Sequence, residues 1–191
     1  MSLEAPTAAI QRVAVIGAGV AGRSFAMSCA GAGYDVVLED VMPVNLRRAE
    51  SQYSDASLRG GYGSLELAST VEDAVRGADI AVDFVPDELE SKLEIFSMID
   101  RMAPPMTILC TPSEALSITD LASCVYRPER ALAVRGGLAD GSVVRLVYPA
   151  RADEGVVETV RRFLVSLGLK ARPEVDRDEP ALSKNRPHAT P

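Results

Sequence analysis

Eight short apolar runs, most of them followed by a stretch with helical spacing, dictate what this chain can fold into. The runs cover residues 12–17, 35–40, 65–68, 80–85, 106–111, 131–135, 143–148 and 169–175. Between them, residues 20–32, 43–57, 71–76, 88–102, 118–125 and 156–167 space their apolar side chains for helices. Leu89, Leu93, Phe96 and Ile99 share one stripe, as do Val157, Val160, Phe163, Leu164 and Leu167. Runs such as RVAVI and IAVDFV carry too little polar alternation for a half-solvated sheet, so they read as strands buried on both faces. Strands alternating with helices imply right-handed βαβ units and a mostly parallel, doubly wound α/β sheet of the Rossmann type in a single domain. Residues 1–11 read as a leader, 12–175 as the domain, and 176–191, with Pro180, Pro187 and Pro191 among charges, as a flexible tail.

Composition narrows the function. Lys and Arg number 20 against 27 Asp and Glu, a net charge of −7, which disfavours nucleic acid and anionic membrane surfaces as partners. No apolar run approaches a membrane span, and the first residues lack a signal peptide's basic and apolar regions, so a cytoplasmic protein is expected. Cys29, Cys110 and Cys124 are too scattered for a zinc site or a disulfide framework, and no metal is expected. The single histidine, His188, is the fourth-last residue, which nearly excludes a histidine base inside the domain.

The chemistry-bearing segment is Gly17-Ala18-Gly19-Val20-Ala21-Gly22, a G-x-G-x-x-G between the first strand and the first helix. An acid, Asp40, follows 23 residues after Gly17, at the end of the next strand. In that context Gly17 permits the tight turn, Gly19 lets a pyrophosphate approach the backbone, and Gly22 lets the helix pack on the strand. The helix N-terminus offers N–H groups to the phosphates. Asp40 would accept from the adenosine ribose and repel a 2′-phosphate, which points to NAD over NADP; Glu39 adds to that sign, and Arg47 and Arg48 weaken it slightly.

Three further blocks carry a resemblance. Asp83-Phe84-Val85-Pro86-Asp87 is similar to an E-A-V-P-E strand end, and Glu90-Ser91-Lys92 through Phe96 to an E-x-K-x-x-x-F helix. Leu116-Ser117-Ile118-Thr119-Asp120-Leu121, followed by Arg127-Pro128-Glu129-Arg130, is similar to L-S-I-T-x-L and R-P-E-R. Together with the glycine loop they resemble the NAD-binding domain of the 3-hydroxyacyl-CoA dehydrogenases. The resemblance implies that Val85, Pro86, Asp87 and Lys92 line the nicotinamide-ribose side of the cofactor. Read without it, Lys92 is a solvated lysine on an exposed helix face.

The same resemblance places substitutions where that family carries out its acid–base step. Glu114 stands at the place of the family's serine and Pro112 at that of its asparagine; Arg135 stands at the place of the histidine base. Arg145 aligns with the glutamate that orients the base. A guanidinium stays protonated and cannot accept the hydroxyl proton. The entry to the family's second, helical domain is degraded in residues 178–186, so that domain is expected to be missing. Two functions follow: an oxidoreductase acting on a small acyl or carboxylate substrate, or a non-catalytic NAD-binding module, such as a sensor or subunit. A homodimer or a partner subunit would cover the face that the helical domain leaves open.

Overall fold

A computed structural model of the chain describes residues 9–58 and 60–176. The strands are β1 (Arg12–Ile16), β2 (Asp35–Glu39), β3 (Leu65–Ala68), β4 (Ile80–Asp83), β5 (Ile108–Pro112), β6 (Ala131–Arg135), β7 (Val143–Tyr148) and β8 (Lys170–Val175). The helices are α1 (Val20–Gly31), α2 (Pro43–Ser57), α3 (Val71–Val75), α4 (Leu89–Met102), α5 (Ile118–Ala122) and α6 (Glu154–Ser166), with a 3-10 turn at Pro128–Arg130. They build one sheet in the order β3-β2-β1-β4-β5-β6-β7-β8. The chain runs from β1 outward to β3 and then crosses back to β4 on the other side of β1. A crevice therefore opens beyond the carboxyl ends of β1 and β4, the switch point where such sheets bind ligands.

Strands β1 to β7 feed two cores, one on each face of the sheet, while β8 is largely exposed and adds only Ala171. In β1, Val13 and Val15 pack with Phe25, Cys29, Val160 and Phe163 of α1 and α6, while Ala14 and Ile16 face Val75, Phe96 and Leu121 of α3, α4 and α5. Phe96 and Ile99 are fully buried, so the α4 stripe contributes about 1.5–3 kcal/mol per large side chain removed from water.

Several element ends differ from the sequence reading, each for a local reason. The strand at 80–85 stops at Asp83: Phe84 N makes the last ladder bond to β1, to Ile16 O at 2.7 Å, and Pro86, which has no N–H, follows. The run at 106–111 starts two residues late, since Thr107 N closes a turn on Pro104 O. Helix α5 ends at Ala122, after which Cys124 N and Val125 N tighten to i→i−3 bonds on Leu121 O and Ala122 O. One pairing is antiparallel: β7 runs against β6, because only Gly136 to Ser142 joins them, too short a link for a crossover.

The packed unit also extends beyond residues 12–175. Ile10 is buried in the core, and Gln11 N donates to Asp79 Oδ2. Asp176 N donates to Tyr148 O, and Asp176 Oδ2 accepts from Ser117 Oγ and Thr119 N. Of the tail expected at residues 176–191, Asp176 is packed on the sheet and residues 177–191 lie outside the described residues.

Candidate functional site

The glycine loop sits at the switch point with the geometry that a dinucleotide requires. Gly17 has φ +98°, and a Cβ there would come within 3.3 Å of the Phe84 backbone. At Gly22 a Cβ would stand 1.9 Å from Gly17 O, so the helix can approach the strand only as glycine. At Gly19 an added Cβ would meet nothing within 4 Å. That open space lies in front of the α1 N-terminus, which no side chain caps. Its first N–H groups are therefore free to face an anion. This cradle fits a pyrophosphate.

Asp40 closes the other side. Its Oδ2 accepts from Ala18 N at 2.8 Å and Asn45 Nδ2 at 3.1 Å, and its Oδ1 from Met42 N at 2.7 Å. The carboxylate is thus aimed by the loop itself, and a carboxylate's four acceptor positions leave it one more bond for a ribose hydroxyl. Burial pushes the neighbouring Glu39 carboxyl up, and the Asp40 charge adds to it. Two acids at one strand end oppose a 2′-phosphate. Val41, Met42 and Val44 are exposed beside them and offer an apolar wall to an adenine. The sequence reading missed this wall, although its signal was available: apolar residues directly after the acid of a buried strand.

The β4 end divides its expected residues. Val85, Pro86 and Asp87 lie at the crevice edge, and Asp87 Oδ2 accepts from Glu114 N at 3.0 Å, tying the ends of β4 and β5 together. Lys92 is a correction to both earlier readings. It is neither solvated nor at the crevice surface: its side chain is 1% exposed, with Nζ 2.7 Å from Asp83 Oδ1. Asp83 at the buried end of β4 needs a cation, and the lysine stem reaches it from α4. Burial pushes the Asp83 carboxyl up, while the Lys92 ammonium pulls it down.

The R-P-E-R block is structural. Arg127 Nε pairs with Asp100 Oδ1 at 2.7 Å, and its other nitrogens donate to Pro104 O, Asp100 O and Ala103 O. It binds the carboxyl end of α4, and Arg130 fixes the next turn through Met106 O.

At the β6 end, Glu114, Arg135 and Arg145 come together. Arg135 on β6 lies directly opposite Arg145 on β7 in the ladder register. Arg135 Nη2 donates to Leu116 O at 2.9 Å and stands 3.9 Å from Asp176 Oδ1. Glu114 Oε1 accepts from Gly136 N at 2.7 Å, and Arg145 Nη1 is 3.4 Å from Glu174 Oε1. These residues line a cleft of about 560 Å³ with Arg172 and Glu174, two residues that the sequence did not single out. Among the described residues, no group of three or more His, Cys, Asp or Glu could hold a metal ion, and no helix is long and apolar enough to cross a membrane.

The 3-hydroxyacyl-CoA dehydrogenase NAD-binding domain profile matches residues 12–171. This chain belongs to that family. Its cofactor is NAD, in keeping with the cradle and the acid at Asp40. Among curated relatives, it is 27% identical over 189 residues to a 5-formyl-3-hydroxy-2-methylpyridine 4-carboxylate 5-dehydrogenase of Mesorhizobium japonicum, covering 93% of this chain and 61% of that protein. It is 28% identical over 193 residues to a 3-hydroxybutyryl-CoA dehydrogenase of Bradyrhizobium diazoefficiens, covering 94% and 65%. A solved structure of a 5-formyl-3-hydroxy-2-methylpyridine 4-carboxylic acid 5-dehydrogenase, described as an NAD+-dependent dismutase, superposes with TM-score 0.77 at 25% identity, over 90% of this chain and 60% of that one. The chain thus spans less than two thirds of the length of these relatives.

Proposed function

We propose that this chain is an NAD(H)-binding domain of the oxidoreductase type whose own function is to bind the cofactor rather than to oxidise a 3-hydroxyacyl-CoA. When bound, NAD supplies a hydride acceptor. Gly17 to Gly22 would hold its pyrophosphate and Asp40 its adenosine ribose, with Val85 and Pro86 at the nicotinamide end. The observation that carries the second half of the reading is the register of Arg135 against Arg145. The resemblance places the family's base and its orienting carboxylate at these two positions, and both are permanent cations here. A hydride cannot leave a carbinol carbon at neutral pH unless its hydroxyl proton is taken. Neither guanidinium takes it. Glu114 stands at the place of the family's serine, not of its base, and one of its oxygens holds Gly136 N.

Calorimetric titration of the full chain with NADH and NADPH tests the first half, with Asp40→Ala alongside. NADH binds with a micromolar Kd, NADPH at least tenfold more weakly, and Asp40→Ala loses about tenfold in NADH affinity. The absence of NADH binding overturns the reading. An absorbance assay with 3-hydroxybutyryl-CoA and NAD+ tests the second half. No NADH forms across neutral and alkaline pH; turnover would overturn the binding-module assignment.

A further inference from the structure

The sheet register puts three arginines in one row. Arg135 of β6 pairs with Arg145 of β7, and Arg145 pairs with Arg172 of β8. Residues directly opposite on neighbouring strands project from the same face, with strands about 4.8 Å apart. Like charges so placed repel, and each adds a cost in stability unless something answers it. The protein answers only in part. Glu174 reaches Arg145 at 3.4 Å, and Asp176 stands 3.9 Å from Arg135, both longer than a charge-assisted hydrogen bond. Glu114 gives one oxygen to Gly136 N and, among the described residues, makes no ion pair with the row, nor does Arg172 make one. Arg135 Nε is buried without an acceptor. The row lines the cleft of about 560 Å³, whose remaining wall includes Val143 and Pro173.

We propose that Arg135, Arg145 and Arg172 form a binding site for the carboxylate group of a small organic acid. Guanidinium forks match the planar, two-oxygen geometry of a carboxylate, and Val143 and Pro173 accommodate a short apolar stem. The row begins at the carboxyl-end edge of the sheet with Arg135, about 14 Å from the glycine loop by three strand spacings, and runs two strands further out to Arg172, at about 24 Å. The proposal deepens the cofactor-binding reading by naming the ligand class that would share this edge with the nicotinamide, and it rests on that reading for its place beside a cofactor.

The test is calorimetric titration of the full chain with malonate and inorganic phosphate at constant ionic strength. It is repeated on Arg145→Gln and Arg172→Gln, both exposed enough to leave the fold intact. Malonate binds the wild type more tightly than phosphate, and each substitution weakens it about tenfold, the loss of one charge-assisted pair. NADH affinity stays within about twofold in both variants. The inference falls if malonate does not bind, or binds equally to both variants. Phosphate binding as tightly as malonate overturns the carboxylate assignment. A parallel NADH titration separates the two levels. NADH binding without malonate binding sinks this inference alone, while malonate binding without NADH binding sinks the cofactor reading and leaves the anion site.

Discussion

An ammonium sealed from water is tolerated only while its carboxylate remains beside it, and Lys92 with Asp83 shows the condition at full strength: side chains 1% and 0% exposed, 2.7 Å apart. Desolvation of two ions offsets most of their attraction, so such a pair adds little net stability over a well-packed apolar replacement. Removing one partner strands the other. Lys92→Met and Asp83→Leu are each expected to cost about 3–5 kcal/mol, whereas the double substitution is expected within about 1 kcal/mol of wild type. Urea denaturation of the three variants checks this, and a double variant as unstable as the singles would show that the pair holds the fold by more than mutual neutralisation. At this scale the sequence was partly legible. Asp40 and the three glycines stand where spacing put them, since a glycine loop between strand and helix has one geometry. Lys92 was misplaced because a lysine on an amphipathic helix reads as solvated, and the buried acid it serves lies on another element. Arg172 escaped notice for a related reason: its neighbours in the row come from strands whose register no local pattern reveals.

The β1–loop–α1 unit separates two uses of glycine that the motif lists side by side. At Gly22 the requirement is internal, because a Cβ would stand 1.9 Å from Gly17 O. At Gly19 it is external, because a Cβ meets no protein atom within 4 Å. Gly22→Ala is therefore expected to destabilise the fold by about 1–3 kcal/mol through forced backbone movement, and to abolish NADH binding with it. Gly19→Ala is expected to leave the melting temperature within about 1 °C while weakening NADH at least tenfold, since its methyl enters the phosphate space. Thermal melts paired with NADH titrations separate the two, and a Gly19→Ala protein that binds normally would move the cofactor off this loop. The elements themselves were legible wherever apolar runs and helical stripes alternate, including the weak edge strand Leu65–Ala68 and the Pro43 start of α2. Strand direction was not, because an apolar run reads alike both ways; only the short link from Gly136 to Ser142 turns β7 against β6.

At the scale of the molecule, the same sheet carries both cores and the cofactor edge. Strands β1 to β7 send side chains both to the face of α1 and α6 and to that of α3, α4 and α5, so neither face can open without unpacking the other, while β8 adds only Ala171 at the margin. The switch-point crevice lies between β1 and β4, in the middle of that shared layer rather than at a margin. A ligand held there binds only when the whole sheet is formed, and its binding free energy becomes folding free energy. At NADH concentrations 100-fold above Kd the gain is about 2.7 kcal/mol, which for a domain of this size raises the melting temperature by about 5–10 °C. The transition is expected to remain single, with near-ultraviolet and far-ultraviolet circular dichroism coincident with and without NADH. A second, ligand-insensitive transition would mean that the β6–β8 edge, with its row of arginines, unfolds apart from the cofactor half and is joined to it by sequence but not by cooperativity.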